Sequence, residues 1–115
     1  MFRRFVQPPL TEQCRWLDYA MYHLDGTTCL RHLDALLEIE PLEAIEWTPQ
    51  AGTEGGGTPR WYDLYRRIRR AGKSVQANEV IPLLDAVGPR GMYILASAPD
   101  QATAEDVLQK AEAYR

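Results

Sequence analysis

Four short stretches of the chain alternate apolar and polar residues, and the segments between them repeat apolar residues every three to four positions. Alternation marks a strand with one buried face, and the longer period marks a helix with one buried stripe. This reading places strands at 19–24, 42–48, 73–77 and 91–97. An entry helix occupies the first 18 residues. It starts near Pro8 and Pro9, which suit a first turn, and carries Leu10, Cys14 and Leu17 at helical spacing. Thr27 or Thr28 is the expected cap of the next helix, whose stripe is Leu30, Leu33, Leu36 and Leu37. Pro59 opens a third helix, with Trp61, Leu64, Tyr65 and Ile68 on one side and Gly72 at its end. Asn78 is placed to cap "EVIPLLDAV", which Gly88 closes. Thr103 and Asp106 have the spacing of a capping box for a last helix running to Tyr114.

Strands that alternate with helices predict an α/β fold with a parallel sheet and right-handed crossovers. The parity within the strands refines that. Tyr22 and Leu24, Ile45 and Trp47, Val75 and Ala77, and Ile94 and Ala96 take one face. Met21, His23 and Asp25, Glu46 and Thr48, Gln76, and Tyr93 and Ser97 take the other. A doubly wound sheet would need apolar residues on both faces. One apolar and one polar face fit the wall of a barrel, with polar side chains toward the strand carboxyl ends. The expected architecture is a (βα)4 half-barrel with helices on its outer face. It forms a single domain over 1–115, in which the entry helix precedes four βα units at 19–115.

Composition narrows the function classes. The chain has 115 residues, 45% hydrophobic and 25% charged, which suits one soluble globular domain. A net charge of −3 argues against a protein devoted to nucleic acid. No apolar run approaches the length of a membrane span, and "MFRRFVQPPL" lacks the apolar core of a signal peptide. Cys14 and Cys29 form neither a disulfide framework nor a CxxC pair, so a reduced, cytoplasmic setting is expected. They read as core thiols. The tryptophans Trp16, Trp47 and Trp61 are expected between helices and sheet, and His32 on a helix surface. "YRRIRRAGK" reads as the solvated face of its helix. "PQAGTEGGGTP" lacks the spacing of a phosphate loop. It is expected to be the most mobile internal segment, with little to bury against the cost of ordering it.

The chemistry concentrates at "MYHLDGTT". His23 and Asp25 are two apart, hence side by side on one strand face, and Glu46 has the same parity on the next strand. Together they are an acid–base set, or ligands for a metal. The competing reading is a polar strand end that caps the helix after it. Thr48, Gln76, Asn78 and Ser97 are candidate hydrogen-bonding residues for a ligand, or ordinary loop and capping residues.

Four segments, "EQCRWLDYAMYHLDG", "RHLDALLEIEPLEAIEWTPQAG", "WYDLYRRIRRAGK" and "GPRGMYIL", resemble the carboxyl-terminal half of a uroporphyrinogen decarboxylase-type (β/α)8 barrel. The resemblance is closest to the branch that also contains cobalamin-dependent methyltransferases. Those enzymes hold zinc with a His-x-Cys pair and a later cysteine, and use it to activate a thiol as methyl acceptor. His23-Leu24-Asp25 stands where the His-x-Cys pair would be, which implies His23 and Asp25 as metal residues and zinc as the metal. Aspartate is a harder donor than thiolate, and "ASAPD" supplies no later cysteine, so such a site is incomplete. The decarboxylases use no metal, and their substrate-gripping residues lie mainly in the half that this chain does not include.

Two classes of function follow. One is a truncated, non-catalytic or vestigial module that binds a small polar or anionic molecule and self-associates, most simply as a homodimer. An open half-barrel leaves two unpaired sheet edges, and a twofold pair is the commonest way to cover them. The other is an enzyme whose site is rebuilt at the dimer interface, for methyl transfer or decarboxylation-type chemistry with zinc assistance.

Overall fold

The computed structural model describes residues 1–79 and 81–115. Four parallel strands form one sheet in the order β1 (Met21–Asp25), β2 (Ala44–Thr48), β3 (Ser74–Asn78) and β4 (Met92–Leu95). Ahead of them lie the helices α1 (Phe2–Phe5) and α2 (Gln7–Trp16). Between the strands come a 3-10 turn, Thr27–His32, leading into α3 (Leu33–Leu37), a second 3-10 turn, Pro59–Trp61, leading into α4 (Tyr62–Arg70), and α5 (Ile81–Val87). Helix α6 (Gln101–Glu112) follows β4. The chain is therefore an α/β protein with one parallel sheet, the arrangement of a half-barrel. Each strand pairs with its sequence neighbour, as a barrel wall requires.

The core lies on one side of that sheet. Leu24, Ile45, Trp47, Val75 and Ala77 point into it and meet Leu33, Leu36, Ile68 and Leu83 from the helices. Tyr22, Met92 and Ile94 extend the same face at its margins. The alternate residues point away from the helices, and Met21 and Tyr93 among them are 50% and 58% exposed. The parity in the sequence thus corresponds to one helix-covered face and one open face.

Several local expectations change. The entry helix is two helices, separated at Val6, with proline in the first turn of the second. Asn78 ends β3 rather than serving as a helix cap, and Val80 of the expected helix lies outside the described residues. Helix α6 begins at Gln101, and its cap is Asp100, whose carboxylate accepts from the Thr103 backbone N–H at 2.8 Å. The expected capping residue, Thr103, therefore sits inside the helix. Trp16 is 88% exposed, because α2 ends there, beyond its one buried residue, Cys14. Trp47 and Trp61 do pack together in the core, 4.9 Å between ring centres. Cys14 is buried, and burial pushes its thiol up.

The glycine-rich loop is anchored by its own chain, where low complexity predicted a mobile segment. Gly56 and Gly57 are buried, the Trp61 indole donates to the Glu54 carbonyl at 3.0 Å, and the Tyr65 hydroxyl donates to the Gly56 carbonyl. A side chain at position 57 would come within 2.2 Å of Cβ of Glu79, so only glycine lets the loop lie against the end of β3. The basic helix is not simply solvated either. Arg66 donates to the Ala86 carbonyl at 2.7 Å, Arg67 pairs with Asp34, and Arg69 donates to the Lys73 carbonyl at 2.6 Å. Lys73 is itself buried. Its ammonium donates to the carbonyls of Ile39, at 2.7 Å, and Leu42, and burial lowers its pKa.

Candidate functional site

Register assembles the site. His23 of β1 stands opposite Glu46 of β2, Glu46 opposite Gln76 of β3, and Gln76 opposite Tyr93 of β4. Neighbouring parallel strands are about 4.8 Å apart, close enough for side chains in one row to touch. They do so across three strands. The His23 Nδ1 atom is 3.0 Å from Glu46 Oε2, and the Gln76 amide donates to Glu46 Oε1 at 2.9 Å. Asp25, two residues beyond His23, approaches the other ring nitrogen, with Nε2 to Oδ2 at 3.7 Å. Glu46 is the centre of the row, and the imidazole lies between two carboxylates.

His23, Asp25 and Glu46 are therefore brought together with Gln76, on an open sheet face instead of in an enclosed pocket. The side chains of His23 and Asp25 are more than half exposed, whereas Gln76, on the far side of Glu46, is buried. This arrangement can hydrogen-bond through the imidazole and bind donor groups with the carboxylates. The two carboxylates address opposite nitrogens of His23, so no single nitrogen faces both. Among the described residues, no group of three or more His, Cys, Asp and Glu side chains is arranged to hold a metal ion.

The remaining candidates lie beyond the row. Thr48 stands opposite Asp25, and its carbonyl accepts from the Gly26 backbone N–H at 2.9 Å, tying the ends of β1 and β2. Asn78 and Ser97 share a separate cleft of about 630 Å³ past the ends of β3 and β4, with Glu79, Leu95 and Val107. Ser97 falls outside β4, which stops at Leu95. Glu79 is the residue that periodicity misses. Its backbone is left-handed, φ 69°, which is uncommon for a non-glycine residue. In the sequence it reads only as the start of a helix.

The chain matches no protein-family model, and no curated protein or solved structure resembles it significantly. Among the described residues no helix is long and apolar enough to cross a membrane.

Proposed function

We propose that the chain is a binding module for a small polar molecule, built on a half-barrel and read through the row His23, Glu46 and Gln76. One observation carries this reading. Three neighbouring strands bring contacting polar side chains together on the sheet face opposite the helix-packed core. Such a row does nothing for the core. The row crosses the middle of its strands, and Asp25 extends it to the carboxyl end of β1, the end of a parallel sheet where ligands gather. Two carboxylates to one imidazole leave an excess of acceptors, so a ligand rich in hydrogen-bond donors, such as an amine or a polyol, fits better than an anion. Self-association and a relationship to the uroporphyrinogen decarboxylase-like superfamily belong to the same reading. They are supported by the sheet's open face and edges and by the four quoted sequence segments.

The test is a titration of the labelled protein with small amines and polyols, followed through the His23 ring and Gln76 side-chain amide resonances. Saturable shifts at both are expected, and they should vanish in Asp25→Ala and Glu46→Ala variants whose circular dichroism is unchanged. If the variants respond as the parent does, the row is not the site. If they unfold, the residues are structural, as the strand-end reading of "MYHLDGTT" has it.

A further inference from the structure

Exposed apolar surface on this molecule has an ordered distribution. Among the described residues, every large hydrophobic side chain left exposed lies between Met1 and Met21 or between Tyr93 and Leu108. The described residues from Tyr22 to Met92 leave none. Because β1 and β4 are the two edge strands, Met21 sits at one flank of the sheet and Tyr93 and Leu95 at the other. The open face repeats the pattern. Its central strands present Glu46, Thr48, Ser74 and Gln76, whereas its edge strands add Met21 on one side and Tyr93 and Leu95 on the other. The shape agrees with an unclosed structure. The radius of gyration is 15.3 Å, against about 13 Å for a compact domain of this length.

We propose that two copies close into one eight-stranded barrel, with β4 of each copy pairing in parallel with β1 of the other. This deepens the self-association reading above by naming its geometry. Four parallel strands with helices outside are half the number at which such a barrel closes around a side-chain-filled interior. Joining opposite flanks makes a head-to-tail contact that returns to its start after two copies, so growth stops at a dimer. Both unpaired edges are then removed. The closure also completes the polar row. Tyr93 lies in register beyond Gln76 and, at each junction, comes beside β1 of the second copy, which carries His23. Each row then takes a phenol from its neighbour, and the binding site is shared between copies.

Sedimentation of the full chain at micromolar concentration, with Met21→Lys and Tyr93→Lys variants, tests this. A dimer is expected for the parent chain. Either variant should weaken it by about tenfold or more, since each charge enters both junctions. Both positions are at least half exposed in the single chain, so circular dichroism should be unchanged. As a second measurement, mixed Met21→Cys and Tyr93→Cys copies treated with a short bifunctional maleimide should give a cross-link between positions 21 and 93 by peptide mass. A parent dimer that responds to only one of the two lysines pairs like edge with like edge, and overturns the closure while leaving self-association standing. A parent monomer overturns both, with the ligand titration of the row still free to succeed.

Discussion

Trp47 and Trp61 face each other in the core and use their indole N–H groups in opposite ways. That of Trp61 donates to the Glu54 carbonyl at 3.0 Å, whereas that of Trp47 is buried and meets no partner among the described residues. Phenylalanine at 61 removes a bond and frees the loop it anchors. Phenylalanine at 47 removes an unsatisfied donor along with the ring. Trp61→Phe should therefore destabilise the protein more than Trp47→Phe, by about 1 kcal/mol, as read from denaturant midpoints. The sequence makes a comparable distinction for the site. His23, Glu46 and Gln76 could be placed on one face because a strand has only two faces. Lys73 and Glu79 could not be read, since the one looks like an ordinary polar strand end and the other like the first residue of a helix. The burial of Lys73 depends on carbonyls at Ile39 and Leu42 that only tertiary packing brings near.

Helix α6 leans on its ends, for along its 12 residues it buries none fully. Its cap is Asp100, whose carboxyl is held below the usual aspartate range by the Thr103 backbone N–H. A carboxyl lowered on folding stabilises the folded form above its ordinary value of 3.8, and that contribution is lost as pH falls through the lower, folded value. The Thr103 amide resonance should therefore titrate with a midpoint below 3.8. Asp100→Ala should abolish that titration and speed amide exchange through the first turn of α6 at neutral pH. Element types were legible because the periods of strand and helix differ. Element ends were less so. Thr103 and Asp106 have the spacing of a cap, but Asp100 is three residues nearer the turn and takes the role.

For the molecule as a whole, Tyr65 joins the core to the loop after β2. Burial pushes its phenol up, so on unfolding it returns to the ordinary value of 10.0. Above about pH 10 the unfolded chain gives up that proton first, and stability falls as pH rises. Tyr65→Phe should remove this part of the alkaline slope while costing about 1 to 2 kcal/mol at neutral pH, through the bond lost to Gly56. Differential unfolding of the two proteins between pH 8 and pH 11 would show both effects, in a range on the order of the phenol's titration. The parallel sheet was legible because a helix separates each strand from the next. The packing of the glycine-rich loop was not, because glycine's absence of side chain looks the same whether it grants freedom or close approach.

The order of the strands along the chain has a consequence for synthesis. After β1, each strand pairs with its immediate predecessor, so no later strand waits for a segment still to be translated. Once Thr48 has left the ribosome the first pair can form, and every later unit docks on an edge already built. Assembly is then accretive, and the sheet can lengthen without rearranging what came before. Shortening the chain from its carboxyl end should accordingly peel away α6 and β4 first, leaving the β1–β2 and β2–β3 pairings intact.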